Sequence, residues 1–183
     1  MKQKIIVATT NKHKLKEIKN ILKCPVVGYS LSVRENGKTF EANAIKKAKA
    51  VAKKVDEIVI ADDSGLMVDA LYGGPGVKSA RFANPSTREN LCNKLIRLLK
   101  NKKNRSAKFV CVIAVVFPDG KVKTVKGVCP GQIIDQMKGP RGFGYDPVFI
   151  PRGYKKTFGE MKPSLKNCLS HRGRALKKLK EVF

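Results

Sequence analysis

The sequence predicts an α/β protein built on a mixed sheet. Three observations carry that reading. Strand-like apolar runs alternate with helical patterns, one hairpin signal interrupts the alternation, and a 42% hydrophobic share over 183 residues is enough for a core. Lys4–Ala8 is a continuous apolar run, as a central strand requires. A helix over Lys12–Leu22 places Leu15, Ile18, Ile21 and Leu22 on one face, with Thr10 or Asn11 as its cap. Val26–Leu31 reads as a short strand and Asn36-Gly37 as a turn. Thr39–Val55 reads as a second helix. Its packing face is narrow (Phe40, Ala44, Ala48, Val51, Ala52), and Lys46, Lys47, Lys49, Lys53 and Lys54 occupy its other sides. Ile58–Ala61 reads as a strand that delivers Asp62 and Asp63 to a Ser64-Gly65 turn. Gly73–Gly76 is a tight loop. Ser86 or Thr87 caps a third helix that runs through Leu99, and Asn101–Arg105 is a polar linker. Ala107–Phe117 and Lys121–Cys129 form a hairpin about Asp119-Gly120. Gly139–Asp146 is a shaped, glycine-rich loop, and the last helix covers His171–Val182.

Length suits one domain spanning residues 1–183. Charge is the anomaly: thirty-nine Lys and Arg face only fourteen Asp and Glu, a formal +25. Such a chain attracts anions, whether nucleotides, phosphate, nucleic acid or an acidic membrane surface, and nonspecific nucleic-acid binding is possible at low salt. The five cysteines, Cys24, Cys92, Cys111, Cys129 and Cys168, are odd in number and contain no Cys-x-x-Cys pair. Free thiols and a reducing compartment are expected, and a structural zinc site is not. No stretch could span a membrane and no signal-peptide pattern opens the chain, so the expected location is the cytoplasm.

Four stretches carry chemistry. Thr9-Thr10-Asn11-Lys12-His13-Lys14 joins a strand to a helix, where free backbone N–H groups and lysines make a phosphate cradle. It is not a Walker A loop, and an ordinary cap with solvated lysines fits the same residues. The acids Glu35, Glu41, Asp62, Asp63 and Asp69 suit a hard divalent cation, although Glu41 and Asp69 also read as helix-start or loop acids. Adjacent carboxylates need water, a cation or a proton, so Asp62-Asp63 marks a site unless it is simply exposed. In Phe143-Gly144-Tyr145-Asp146 the phenyl ring could stack on a base and the carboxylate accept from it; a plug beneath the loop is the alternative. In Ser170-His171-Arg172-Gly173, with Lys166 upstream, Arg172 can donate in a planar fork. A Ser-His-Asp nucleophile is disfavoured because no Gly-x-Ser-x-Gly elbow is present.

Taken in order, these motifs resemble the inosine triphosphate pyrophosphatase family, the XTP/dITP diphosphatases. The resemblance runs from Ile6-Val-Ala-Thr-Thr-Asn-Lys-His-Lys14 through Thr39-Phe-Glu-Ala-Asn-Ala44, Ala61-Asp-Asp-Ser-Gly-Leu66, Pro75-Gly-Val-Lys-Ser-Ala-Arg81 and Gly142-Phe-Gly-Tyr-Asp-Pro147 to Ser170-His-Arg-Gly-Arg-Ala-Leu176. It implies an elongated central mixed sheet flanked by helices, two lobes with an active-site cleft between them, and a homodimer. It also implies Mg²⁺-dependent hydrolysis of deaminated purine triphosphates (ITP, dITP, XTP) to the monophosphate and pyrophosphate. Thr9–Lys14 and Lys47 would hold phosphates, and Ser64 would touch substrate. Asp63 would bind Mg²⁺ and take the proton of the attacking water, with Glu35 assisting the metal. Phe143–Asp146 would close around the base, and Lys166, His171 and Arg172 would read its keto edge. Asp62 has no assigned duty.

The chain departs from common members of that family in three places. Thr10 stands where many have Gly, Phe40-Glu-Ala-Asn43 replaces Phe-x-Glu-Asn, and Met161–Lys166 is less acidic. Glu41 is therefore given no metal role. Maf-like nucleotide pyrophosphatases share the general fold, but the Phe143-Gly-Tyr-Asp and Ser170-His-Arg stretches argue against them. A nucleic-acid-binding protein using its positive surface is not supported by any zinc finger, RNP-like aromatic strand or KH signature, and a purely structural role would leave the convergent polar motifs unexplained.

Overall fold

A computed structural model describes residues 4–22 and 24–182. Six strands form one sheet in the order β2-β1-β3-β4-β5-β6: β1 (Ile5–Ala8), β2 (Val26–Tyr29), β3 (Ile58–Val68), β4 (Ser106–Val116), β5 (Val122–Ile133) and β6 (Phe149–Pro151). β1 is parallel to β2 and β3, whereas β6 is antiparallel to β5, so the sheet is mixed as expected. The helices are α1 (Lys12–Ile21), α2 (Phe40–Ala52), α3 (Arg88–Leu99), α4 (Pro163–Leu169) and α5 (His171–Leu179). Asn11, Thr39 and Thr87 cap the first three with side-chain oxygens.

The chain packs as two compact units. The first holds residues up to Ser64, Cys111–Gly127 and residues from Arg172 onward. The second holds Gly65–Val110 and Val128–His171. In the first unit, alternation along the strands sorts side chains to two faces. Ile5, Val7, Ile58, Ile60, Ile113 and Val115 cluster with Ile18 of α1, with Leu22 just after it, and with Leu176 and Leu179 of α5. Ile6, Ala8, Val59, Ala61, Val112 and Ala114 cluster with Ala44, Ala48 and Val51 of α2. The small residues of α2 let its backbone lie close to the strands. The second unit is centred on α3 and the rings of Phe109, Phe149 and Phe158. Phe109 meets Phe149 edge-on, with ring centroids 4.7 Å apart.

Several elements differ from expectation. β3 does not end at Ala61 but runs through both aspartates to Val68. Leu66 and Val68 are fully buried and restore the apolar pattern beyond the polar residues. β5 likewise continues past Cys129 to Ile133. α2 stops at Ala52, where Lys54 N–H bonds back to the Val51 carbonyl in a turn. α5 ends at Leu179, and the next residues bond three positions back rather than four. α4, opened by Pro163 at its first turn, and the three-residue β6 were too short to register as periodic patterns. Among the described residues no helix is long and apolar enough to cross a membrane.

Ala48 has no exposed surface in the α2–sheet contact. Ala48→Leu should therefore lower the stability by about 1–3 kcal/mol through overpacking. Urea denaturation checks it, and an unchanged midpoint would mean that α2 does not pack through this face.

Candidate active site

The acidic pair sits inside β3 in the first unit, and both carboxylates are buried (Asp62 2% exposed, Asp63 5%). Successive residues of a strand face opposite ways. Asp62 continues the Ile58–Ile60 face toward α1 and α5, and Asp63 continues the Val59–Ala61 face toward α2. The two carboxylates thus meet different partners.

Asp62 Oδ2 takes charge-assisted bonds from several sides. Lys14 Nζ lies at 3.1 Å, Arg172 Nη2 at 3.0 Å and Arg172 Nε at 3.3 Å, and Ser64 Oγ donates at 2.6 Å. Burial alone would push this carboxyl up. Lys14, Arg172 and Lys47 outweigh it, with the Ser64 hydroxyl, and hold it well below the usual aspartate range. Lys47 Nζ donates to the Asp62 carbonyl oxygen at 2.7 Å and to Glu35 Oε1. Burial lowers the Lys47 pKa, but Asp62, Glu35 and Asp63 together leave it raised.

Asp63 is different. Its Oδ2 accepts from Asn43 Nδ2 at 2.9 Å and its Oδ1 from the Ser64 N–H at 3.0 Å. Burial raises its pKa, and Lys47, Asn43 and Lys14 do not fully offset that, while the negative charge of Glu35 adds to the rise. Asp63 is therefore a carboxylate that welcomes a proton or a cation. Oxygen donors from Asp63 and Glu35 suit Mg²⁺, which needs only one or two carboxylates when phosphates complete its shell. Among the described residues no group of three or more His, Cys, Asp or Glu forms a self-sufficient metal cage.

At the start of α1, the Asn11 side chain accepts from the N–H groups of His13 (2.9 Å) and Lys14 (3.1 Å), and Thr9 Oγ1 accepts from Asn11 N–H. Thr10, Lys12 and His13 are exposed beside it. The first unit therefore gathers Thr9–Lys14, Glu35, Lys47, Asp62, Asp63 and Ser64. It does not gather Glu41, which is exposed and accepts from Thr124 Oγ1 at 2.6 Å. Asp69 belongs to the second unit and opens a short 3-10 turn.

The second unit builds a separate constellation. Gly142 has φ +78°, and a Cβ there would lie 2.0 Å from Asp146 Oδ2, so only glycine permits the turn that follows. Asp146 Oδ2 accepts from the Phe143 N–H at 2.8 Å and from Lys166 Nζ at 2.6 Å. Lys166 Nζ stands 4.7 Å from the centroid of the Phe143 ring. Gly144 accepts from Cys92 Sγ at 3.4 Å, which ties the loop to α3. His171 stacks on Phe109, with centroids 4.7 Å apart and planes 11° from parallel.

Two of the expected base-site residues are deeply buried and make contacts of their own. Tyr145 is a core residue: it is 3% exposed and its hydroxyl donates to the Ser79 carbonyl at 2.9 Å, so its ring plugs the loop from beneath. Arg172 is 1% exposed and its guanidinium binds Asp62, Ser64 and Glu17 in the first unit. Its Nε and Nη2 edge is thus taken up by Asp62 and Ser64. Two further side chains of this region had no role assigned from the sequence: Asn43, which stands in the Thr39–Ala44 motif, and Glu17. Asn43 left a trace, since a polar residue interrupts the Ala-rich face of α2 and is fully buried there. Its Oδ1 accepts from the Gly37 N–H at 2.8 Å, so it ties the loop before α2 to Asp63.

A mixed α/β sheet carrying a lysine-flanked acidic centre of oxygen donors is suited to anionic, phosphate-bearing ligands. The Ham1 family model matches residues 5–182, and the chain belongs to that family. It is 46% identical over 193 residues to the dITP/XTP pyrophosphatase of Desulforamulus reducens, covering 98% of this chain and 95% of that one. The Ham1 protein structure from Staphylococcus aureus is similar with a TM-score of 0.87 and 39% identity over 98% of this chain and 97% of that one. The HAM1 protein structure from Coxiella burnetii gives 0.88 and 35% over 98% of both chains. The ordered sequence motifs thus pointed to the right family.

The split environments predict opposite sensitivities. Because its folded pKa is depressed, Asp62 stabilises the fold above the ordinary aspartate value, and that contribution is lost as pH falls through its folded pKa. Asp62→Asn leaves buried cations uncompensated, so it should cost about 3–5 kcal/mol at pH 7.5 and flatten the loss of stability below about pH 4. Asp63→Asn removes a charge the fold does not favour but leaves one N–H donor facing the amide nitrogen, so it should cost less, about 1–2 kcal/mol, with little dependence on pH below about 4. Denaturant midpoints across pH test this, and equal losses would contradict it.

Proposed function

We propose that this chain hydrolyses the non-standard purine nucleoside triphosphates ITP, dITP and XTP to the monophosphate and pyrophosphate, cleansing the nucleotide pool. The observation that carries the reading is Asp63, a buried carboxylate with a raised pKa flanked by Lys47 and Lys14. The match to dITP/XTP pyrophosphatases along nearly the whole chain supports the substrate class. We take residues 1–183 to act as one catalytic domain.

In this reading the α1 start (Thr9, Thr10, Asn11, Lys12, His13) and Lys14 hold the triphosphate. Asp63 orients a water and takes its proton as the water oxygen attacks the α-phosphorus in line. A bond from that oxygen to phosphorus forms, the α–β bridging bond breaks, and pyrophosphate leaves. Lys14 and Lys47 stabilise charge on the phosphoryl oxygens. Asn43 and the Ser64 N–H fix the Asp63 carboxylate for this task. Mg²⁺, held by Asp63 and Glu35, would neutralise phosphate charge and orient the chain of phosphates.

Phe143 stacks on the base in this proposal, framed by the Gly144–Asp146 backbone. Lys166 and His171 donate toward its 6-keto oxygen. Adenine presents an amine there, which leaves donor facing donor and costs affinity. Guanine shares the keto group, so its exclusion depends on an unpartnered 2-amino group. Five cysteines with no Cys-x-x-Cys pair accord with a cytoplasmic location. A homodimer, and weak nonspecific association with nucleic acid through the +25 charge, complete the proposal.

Pyrophosphate release from ITP, XTP, dITP, GTP, ATP and pyrimidine triphosphates, with and without Mg²⁺, tests the assignment. Strong selectivity for the first three and dependence on Mg²⁺ are expected. Negligible turnover of all, with tight salt-sensitive DNA binding, would overturn it. Asp63→Asn should abolish turnover with much less effect on nucleotide binding, and near-wild-type kcat at saturating Mg²⁺ would sink its role. Gly142→Ala should raise KM for ITP by about tenfold or more, because the added methyl displaces Asp146. Kinetics with an unchanged KM would exclude that loop from base binding.

A further inference from the structure

We infer that Glu17 is a positioning residue for the phosphate-binding lysine Lys14, acting through Arg172 and Asp62. The inference rests on the proposed role of Lys14. Glu17 is the one acid in α1, whose sequence is Lys-His-Lys-Leu-Lys-Glu-Ile-Lys-Asn-Ile. On a lysine-rich helix such an acid ordinarily pairs with its exposed neighbours three or four residues away. Here its side chain is only 14% exposed, and it accepts from Nη1 of the buried Arg172.

The geometry of Arg172 shows what that contact does. An arginine and a carboxylate usually meet as two forks, two N–H groups on two oxygens. Arg172 instead directs both Nε (3.3 Å) and Nη2 (3.0 Å) at the single oxygen Oδ2 of Asp62, while Nη2 also reaches Ser64 Oγ at 3.1 Å. The second oxygen, Asp62 Oδ1, is buried and has no hydrogen-bond partner among the described residues. A guanidinium is planar and rigid, so holding Nη1 on Glu17 fixes the roll of its other edge. Glu17 thereby keeps Arg172 from closing on both oxygens of Asp62. The same Oδ2 carries Lys14 Nζ at 3.1 Å. Lys14 lies three residues before Glu17 on the same helix side, so α1 touches the network at both ends. Two carboxylates and two cations then alternate as Glu17, Arg172, Asp62 and Lys14. Without Glu17, Arg172 turns onto both Asp62 oxygens and Lys14 loses its fixed anchor beside the phosphates.

A double-mutant cycle tests this with Glu17→Ala, Lys14→Ala and the pair. Readouts are kcat and KM for ITP, and calorimetric affinity for inorganic triphosphate. Glu17→Ala should raise KM and weaken triphosphate binding by about tenfold, leave kcat within about threefold, and add little on the Lys14→Ala background. Glu17→Gln, which keeps an oxygen acceptor for Nη1, should recover most of the affinity and guards against a folding defect in the alanine variant. Equal losses on both backgrounds, or wild-type affinity in a folded Glu17→Ala protein, would overturn the inference. Wild-type protein that binds triphosphate with the expected cycle but does not hydrolyse ITP would count against the proposed function alone.

Discussion

The site depends on the two-residue period of β3. Adjacent carboxylates would repel each other if they shared one environment. Strand alternation sends Asp62 to the face covered by α1 and α5 and Asp63 to the face covered by α2. The first is surrounded by cations and a hydroxyl, the second by an amide and a backbone N–H. One strand thus creates two carboxylates of opposite character from neighbouring codons. A stabilised charge at Asp62 organises Lys14, Arg172 and the Lys47 contact to its carbonyl. At Asp63 an amide and a backbone N–H leave the buried charge less fully compensated.

This division explains how so basic a chain retains acids in its interior. Fourteen acidic residues face thirty-nine basic ones, and those at the site are each held by side chains from distant parts of the sequence. Local positive charge from Lys14 and Lys47 suits a triphosphate, and the acids keep those lysines in register before any ligand arrives. The second unit repeats the device on a smaller scale. Asp146 holds Lys166 over Phe143, and a glycine at positive φ makes room for the carboxylate.

Much of this was legible in the sequence. The existence of β1 to β5, the first three helices with their caps, the hairpin turn and the family follow from periodicity, capping residues and ordered motifs. The course of β3 was not legible, because Asp-Asp-Ser-Gly reads locally as the end of a strand. Its continuation goes with pairing inside the sheet and with the burial of Leu66 and Val68 beyond the polar residues, neither of which the local composition displays. The inward turn of Glu17 was hidden for the same reason, since helical spacing beside lysines suggests a solvated ion pair. Tyr145 was ambiguous in a glycine-rich loop, and only the Ser79 carbonyl beneath it decides that the ring belongs to the core. Short elements such as α4 and β6 carry too few residues for a period to emerge.

The central claim is that neighbouring carboxylates have been driven apart in acidity by the faces they occupy. Carbon-13 NMR of side-chain carboxyl groups, followed through a pH titration of the ligand-free protein, measures that directly. The account predicts that Asp62 stays ionised well below the ordinary aspartate range and that Asp63 takes its proton above it. Two carboxyl signals titrating together near the ordinary value would contradict it.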